Sequence, residues 1–185
     1  DRVSNTESDN IVNGVILNAT AIVVNDGNFY QYFDEDGYLT YEFEEGRKNK
    51  IIFLTFLSNK NIIFDDKVNV ISNKMDNLLF NVTITFESGS EGSLLRDFNF
   101  MNYDREAVII DGASDITVSN NNFTDMFKSN KADSVILIKG ICDDIVIASN
   151  NIYTNAKSKY SYAINAPVIN KYGFVNDRLS TGLSV

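Results

Sequence analysis

The sequence contains no histidine and no tryptophan, and it has a single cysteine and a single proline in 185 residues. The absence of histidine removes the commonest general base and the commonest metal ligand, so proton transfer in any active site would depend on carboxylates. Cys142 has no partner for an internal disulfide, and a zinc cluster is excluded as well. The lack of a disulfide does not identify the cellular compartment. It is typical of cytosolic chains, and also of repeat proteins that are stabilised by hydrogen-bonded ladders between their turns.

Basic residues are also few. The chain has 16 lysines and arginines against 25 aspartates and glutamates, which gives a formal charge of −9. Because the basic residues are scattered, nucleic acid and anionic membrane surfaces are not expected as partners, whereas cations and neutral ligands remain open. No apolar run reaches the roughly 20 residues of a membrane span, so no membrane insertion is expected within this segment. A hydrophobic content of 44% is ample for a core.

A repeated segment dominates the second half of the chain. Asp115 to Thr124 and Asp144 to Tyr153 match position for position at an offset of 29, and each follows a β-rich run. The runs that begin at Val108, Val135 and Tyr162 recur every 27 residues. A period in the twenties, made of short strands in one direction with no helix between them, predicts an all-β fold: a right-handed parallel β-helix.

The same alignment predicts which residues stack on successive turns of this coil. It includes Leu95 to Phe100, which aligns with Val118 to Phe123 at an offset of 23. Two apolar columns follow, Leu95 over Val118 over Ile147 and Phe100 over Phe123 over Ile152. Stacked strands lie about 4.8 Å apart, so Asn121 and Asn150 are expected to pair their amides as a structural ladder.

The ends of the chain are less regular. We predict an N-terminal extension with the first strand over residues 1–20 and a single β-helix domain over residues 21–185. A short capping helix is expected over Asn28 to Phe33, with Asp26 as its N-cap. Residues 171–185 contain no clear capping helix. They are expected either to precede further repeats of a longer protein, with end-to-end self-association, or to fold irregularly over the end.

Several of these runs resemble a known family. The segments 61–73, 79–86, 89–102 and 112–124 look like the opening of the large adhesin-like surface proteins of methanogenic archaea, and 22–33 looks like their capping segment. The resemblance implies a pectate-lyase-like right-handed parallel β-helix, exported to the cell surface and binding a glycan or a surface protein. It brings no catalytic signature, so it implies a non-enzymatic adhesin-like or structural role.

Because the resemblance implies export to the cell surface, it makes three asparagines candidate sites of N-glycosylation. Asn18, Asn81 and Asn122 each begin an Asn-X-Thr triplet. Among them Asn122 is favoured, because it should point outward if Phe123 points inward.

Three aspartates are the candidate ligands for a metal ion. Asp115 over Asp144, with Asp143 beside it, would place like charges one turn apart, where a calcium ion could lie between them. The alternative is that each aspartate only shapes a turn, and we favour it. No cofactor is therefore expected, with calcium as the exception to test.

Two further sets of surface residues have structural alternatives. Arg96-Asp97 and Asp104-Arg105 are expected outside the coil, where mixed charges are typical of a solvated face. Four tyrosines could line a sugar-binding face, since aromatic rings stack on sugars, although tyrosine is also an ordinary strand residue. These are Tyr103, Tyr153, Tyr160 and Tyr162.

Three functions therefore stay open. The first is adhesion, the second is a polysaccharide lyase or glycoside hydrolase, and the third is a subunit of an extracellular filament. A cleft with three or more carboxylates and a basic residue on one outer face would favour an enzyme, and a face without such a cluster would favour adhesion.

Overall fold

The computed structural model describes residues 6–7, 21–25, 28–31, 50–54, 57–72, 77–127, 132–154, 160–166, 168–169 and 175–176. Every regular element in these ranges is a strand. The strands are β1 (Thr6–Glu7), β2 (Ala21–Asn25), β3 (Asn28–Gln31), β4 (Lys50–Leu54), β5 (Leu57–Ser58), β6 (Asn61–Phe64), β7 (Asn69–Ser72), β8 (Leu78–Phe80), β9 (Thr83–Glu87), β10 (Leu94–Arg96), β11 (Asn99–Met101), β12 (Val108–Asp111), β13 (Ile116–Ser119), β14 (Asn122–Met126), β15 (Ser134–Lys139), β16 (Ile145–Ala148), β17 (Asn151–Thr154), β18 (Tyr162–Asn165), β19 (Val168–Ile169) and β20 (Val175–Asn176).

Three parallel sheets form the walls of a solenoid. The first sheet contains β4, β7, β10, β13 and β16, the second contains β5, β8, β11, β14 and β17, and the third contains β6, β9, β12, β15 and β18. Each strand pairs in parallel with the strand three places later in the chain, so the backbone visits the three sheets in turn. This confirms the predicted parallel β-helix.

The register agrees with the sequence repeat. Leu95 pairs with Val118 and Val118 pairs with Ile147, while Phe100 pairs with Phe123. The last pair of the second predicted column, Phe123 with Ile152, is also present. Both predicted columns are therefore confirmed.

Like side chains stack on like inside the coil. The strands alternate buried and partly exposed residues, as expected when one face of each sheet packs inward. The rings of Phe100 and Phe123 stack with centroids 4.9 Å apart, and those of Phe64 and Phe86 lie 5.7 Å apart. All four are fully buried. Burial of each such side chain contributes about 1.5 to 3 kcal/mol, so the columns are a main source of stability.

The corner between the first and second sheets, here the tight corner, has one form in three successive turns of the coil. Two residues link β10 to β11, β13 to β14 and β16 to β17. The first residue of each link has a left-handed backbone: φ is 70° at Asp97, 54° at Asn120 and 58° at Ser149. Aspartate and asparagine tolerate this region better than most residues, which explains the polar residues at the turn.

The corner between the second and third sheets changes along the coil. Two residues link β5 to β6 and β8 to β9, beginning with Asn59 and Asn81, whose φ is 54° in both cases. Six residues then link β11 to β12. We call this segment, residues 102–107, the corner loop. The next two links at this corner, from β14 to β15 and from β17 to β18, each have seven residues.

The capping helix expected over Asn28 to Phe33 is wrong for residues 28–31. These residues form β3, which pairs antiparallel with β2, and β2 in turn pairs antiparallel with β4 at the edge of the first sheet. The sequence between β2 and β3 is Asp26-Gly27, one of the strongest signals for a two-residue hairpin link. That signal, not the spacing of the aromatic residues, determined the local structure.

The expectations for the chain ends fall mostly outside the described residues. This holds for most of residues 1–20 and for most of residues 171–185. The described part of the tail contributes an antiparallel pair of short strands, β19 and β20.

Candidate functional site

The structure places Asp115 and Asp144 on adjacent turns of the coil, each directly before a strand of the first sheet. Both are exposed and both have a left-handed backbone, with φ of 54° and 52°. The backbone N–H of Asp115 donates to the carbonyl of Asp143 at 3.0 Å, and that of Asp144 donates to the Asp143 carboxylate at 3.1 Å. The three residues thus have clear roles in shaping the turn.

The calcium ion that could lie between Asp115 and Asp144 stays a prediction. Calcium takes six to eight oxygens, and the Asp143 carboxylate already accepts a backbone N–H. Across the residues that the structure describes, no group of three or more histidine, cysteine, aspartate or glutamate side chains is gathered in a metal-binding arrangement.

Asn121 and Asn150 meet inside the tight corner. The Asn121 side-chain amide donates to Asn150 Oδ1 at 3.2 Å and to the carbonyl of Leu95 at 3.2 Å, and its own Oδ1 accepts the N–H of Phe98 at 3.0 Å. Asn150 donates in the same way to the carbonyl of Val118 at 2.9 Å. Asn121 is fully buried. These contacts satisfy backbone groups that a bend would otherwise leave unpaired.

The second corner contains an asparagine pair that the sequence reasoning did not identify. Asn81 Nδ2 donates to Asn59 Oδ1 at 3.0 Å. Asn81 is 2% exposed, so a glycan on this nitrogen is incompatible with the folded chain. Asn122 is exposed on the outside of the second sheet, and its Oδ1 accepts from Asn151 at 3.0 Å. Asn18 lies outside the described residues.

A groove of about 430 Å³ lies between the corner loop and the outer face of the third sheet. Its walls combine two carboxylates, one guanidinium, one amide, two threonine hydroxyls and two isoleucines. The lining residues are Asn61, Ile63, Thr83, Thr85, Asp104, Arg105, Glu106 and Ile109. The groove crosses three adjacent strands of the sheet, so the solenoid supplies its floor and the loop supplies its rim.

The backbone of the corner loop is fixed from the side of the coil. The hydroxyl of Thr83 donates to the carbonyl of Glu106 at 2.5 Å. The amide of Asn102, which is 1% exposed, donates to the carbonyl of Val82 at 2.7 Å and to that of Glu106 at 3.3 Å. Tyr160 donates its hydroxyl to the carbonyl of Arg105 at 2.8 Å. With these carbonyls engaged, the loop holds a defined shape above the sheet.

The Arg105 guanidinium is held across the groove by three contacts. Nη1 donates to Asn61 Oδ1 at 3.2 Å and to the carbonyl of Lys60 at 3.5 Å, and Nε lies 3.5 Å from Asp104 Oδ1. The two side chains of the ion pair are 27% and 16% exposed for arginine and aspartate respectively. Such partial shielding makes an ion pair more persistent than a fully solvated one.

The groove offers both polar and apolar contacts to a ligand. Ile63 is 53% exposed and Ile109 is partly exposed, so together they present an apolar strip on the outside of the sheet. The Glu106 carboxylate and the Thr85 hydroxyl lie beside this strip. Two carboxylates and one basic residue fall short of the three-carboxylate cleft that would favour an enzyme.

The other predicted surface residues are spread over several parts of the coil. Arg96 and Asp97 lie 3.7 Å apart at the tight corner, one corner away from Asp104 and Arg105. The ring of Tyr103 stacks on Phe127 at 5.4 Å. Tyr153, on the second sheet, is 59% exposed.

The remaining two tyrosines belong to the turn that enters β18. Tyr162 begins this strand of the third sheet and is 54% exposed, whereas Tyr160 turns toward the corner loop. The four tyrosines therefore do not form one face.

Cys142 is buried and unsuited to covalent chemistry. It is 2% exposed, and its thiol donates to the carbonyl of Lys139 at 3.3 Å. Burial raises the pKa of this thiol, with a smaller contribution from the nearby Asp111 carboxylate. A raised pKa keeps the sulfur protonated and weakly nucleophilic.

Comparison with protein-family models, with curated proteins and with solved structures found no match to this chain. The structure shows the parallel β-solenoid fold that the resemblance implies, and none of the comparisons supports the narrower resemblance to adhesin-like surface proteins. In the described ranges, none of the elements is a helix of the length and apolarity that a membrane span requires.

Proposed function

We propose that this chain is a non-enzymatic, adhesin-like β-solenoid of the cell surface, and that the groove beside the corner loop binds a neutral glycan. The observation that carries the proposal is the composition of the groove. Hydrogen-bond donors and acceptors lie beside an exposed apolar strip on the outer face of the third sheet. Ligand sites commonly combine apolar surface with a few polar groups that fix orientation.

The chemistry of sugars fits these groups. Sugar hydroxyls both donate and accept, so they can donate to the Glu106 carboxylate and accept from Arg105, while the C–H face of a ring packs against Ile63 and Ile109. A uronic acid is disfavoured, because the groove has two carboxylates and one guanidinium, and this guanidinium is already paired with Asp104. Like charges brought together in a partly shielded site repel.

Binding is favoured over glycoside cleavage for a related reason. Most glycosidases use two carboxyl groups, one as acid and one as base or nucleophile. Here the Asp104 carboxylate is held by Arg105, which leaves Glu106 as the carboxylate positioned for a ligand. Stable side-chain contacts of this kind suit recognition, whose specificity comes from fixed hydrogen-bond geometry.

A glycan array that includes neutral, amino and uronic acid oligosaccharides tests the proposal. We expect the wild-type chain to bind neutral saccharides, with equal signals in calcium and in chelator. Arg105→Ala and Ile109→Ser should each reduce binding, by about tenfold or more for the arginine, since a hydrogen bond to a charged group is lost. Arg96→Ala, which removes an exposed arginine at the tight corner, is the matched control and should bind normally.

Two results would overturn the proposal. One is an array with no neutral saccharide bound, or with uronic acids preferred. The other is binding that survives both groove variants. Calcium-dependent binding that is abolished by Asp144→Ala would instead move the site to the turn that contains Asp115 and Asp144.

A further inference from the structure

Tyr160 connects two turns of the coil that are not neighbours. It lies just before β18, and β18 pairs with β15, which pairs in turn with β12. Its hydroxyl nevertheless donates to the carbonyl of Arg105, 55 residues earlier, in the segment that leads into β12. The hydroxyl is also 3.5 Å from the carbonyl of Asn102, at the other end of the corner loop. The side chain therefore spans two turns of the solenoid.

The backbone around Tyr160 makes the ordinary contacts of a neighbouring turn. The N–H groups of Ser161 and Tyr162 donate to the carbonyl of Asp133 at 2.8 and 3.0 Å. Continuing the strand register by two residues toward the corner places Ala132 opposite Tyr160 in the intervening turn. Ala132 is 2% exposed, and its small side chain occupies little of the space between the two turns. The phenol can thus pass this level and reach the corner loop.

The contact fixes the part of the loop that carries the polar side chains of the groove. The carbonyls of Arg105 and Glu106 are engaged by Tyr160 and Thr83 respectively, while the side chains of Arg105 and Glu106 line the groove. Hydrogen bonds to these two successive carbonyls restrict the backbone that carries both side chains. Such support determines whether a site keeps the geometry that its ligand needs.

We infer that Tyr160 is a positioning residue for the groove, which holds the Arg105 guanidinium and the Glu106 carboxylate in place through the backbone of the corner loop. The part of this inference that concerns a ligand rests on the proposed function. Its structural part concerns the free chain and can be tested without a ligand. Burial, together with the nearby Glu106 and Asp104 carboxylates, raises the pKa of the Tyr160 phenol, so the hydroxyl remains a donor throughout the neutral range.

Chemical modification of arginine provides the first test. Tyr160→Phe keeps the ring and removes the hydroxyl. Tyr162→Phe is the matched control, since Tyr162 is 54% exposed and lies two residues away. The ligand-free variants are treated with phenylglyoxal, and the modification rates of Arg105 and Arg96 are followed by peptide mass spectrometry. We expect Tyr160→Phe to accelerate modification of Arg105 by about 2- to 10-fold, as loss of one hydrogen bond implies, with Arg96 unchanged. Tyr162→Phe should change neither rate.

A second measurement uses the neutral oligosaccharide array. Tyr160→Phe should weaken binding, and it should weaken the binding of Arg105→Ala by a smaller factor than that of the wild type, because part of its effect passes through the arginine. Additive losses would contradict the inference, as would an unchanged Arg105 rate or equal increases at Arg105 and Arg96. If the wild-type chain binds no saccharide, the proposed function fails, and the arginine rates still decide the role of Tyr160.

Discussion

The tight corner between the first and second sheets keeps a length of two residues over the last three turns of the coil, after a five-residue link between β7 and β8. The corner between the second and third sheets instead grows from two residues to six and then to seven. At both corners, a two-residue link begins with a polar residue that has a left-handed backbone. Asn81 and Asn120 are examples. The two corners differ in what lies beyond that residue. At the tight corner the next side chain turns inward, as Asn121 does, while the corner loop extends outward over the third sheet.

The difference shows how a regular coil can gain a groove on its outer face. The tight corner satisfies its bend with side chains that repeat from turn to turn, so each turn supports the next. The corner loop is longer than the two-residue links before it, and its carbonyls accept hydrogen bonds from residues outside the loop, Thr83 and Tyr160. Segments that leave a rigid scaffold in this way are common positions for binding residues.

Breaking the tight corner should have the largest effect on stability. Asn121→Ala removes an amide that contacts the backbone of Phe98 and Leu95 and the side chain of Asn150, all within a buried bend. We expect a loss of about 3 kcal/mol in the free energy of unfolding, since each unpaired buried group costs about 1 to 3 kcal/mol. Urea unfolding measures it. Asn122→Ala, the exposed neighbour, should stay within about 0.5 kcal/mol of the wild type, and equal losses in the two variants would contradict this account.

Breaking the anchor of the corner loop should cost less. Asn102→Ala leaves the carbonyl of Val82 without its 2.7 Å contact, but it also removes a buried side-chain oxygen that has no partner. The two effects oppose each other, so we expect the free energy of unfolding, measured in urea, to fall by about 1 to 2 kcal/mol. Hydrogen exchange should accelerate at the amide of Ala107, which donates to the carbonyl of Val135, and remain slow at that of Asn121, which donates to Asn150 Oδ1. Faster exchange at both would show that the corners are not independent.

The regular part of the coil could be predicted from the sequence because the segment that forms each of these turns is repeated along the chain. Val118 and Ile147 occupy equivalent places in two copies of one segment, so their stacking follows from the alignment. The repeat also explains the aspartates: Asp115 and Asp144 recur because each turn needs a residue that tolerates a positive φ. A carboxylate that recurs at two turns of a coil is thus weak evidence for a cation, since the left-handed backbone at both turns favours such a residue.

The groove could not be predicted in this way. Asp104 and Arg105 were identified as a charged pair on the outer surface, but nothing local indicates that Asn61 receives the guanidinium from 44 residues away. The contact from Tyr160 spans 55 residues and skips a turn. Contacts of this range depend on where the corner loop lies, and its sequence occurs once in the chain. The hairpin at Asp26-Gly27, by contrast, had a local signal that the aromatic spacing obscured.

The contact between Tyr160 and the corner loop should give a smaller effect that depends on pH. At pH 7 we expect Tyr160→Phe to lower the free energy of unfolding by about 1 kcal/mol, the usual contribution of one hydrogen bond. The folded chain raises the pKa of Tyr160 through burial and the nearby Glu106 and Asp104 carboxylates. The phenol therefore loses its proton first in the unfolded chain, near pH 10. Its contribution is full below that pH and is lost as the pH rises toward the raised value.

Urea unfolding of the wild type and of Tyr160→Phe at pH 7 and pH 11 checks this prediction. Other tyrosines titrate in both chains, so the difference between the two isolates Tyr160. The stability of the wild type should approach that of the variant at pH 11. A difference that stays constant, or that grows with pH, would contradict the assigned contact.

Arg105→Ala should have the smallest effect on stability and the largest effect on saccharide binding. Arg105→Ala removes a guanidinium at the rim of the groove, whose partners Asp104 and Asn61 remain accessible to water once it is gone. We expect the free energy of unfolding to change by less than about 0.5 kcal/mol, as for most surface substitutions, and saccharide binding to fall by about tenfold or more. If this variant unfolded as readily as Asn121→Ala, the arginine would be part of the scaffold. Separate losses, one of stability at the tight corner and one of binding at the corner loop, are what a coil with an added site requires.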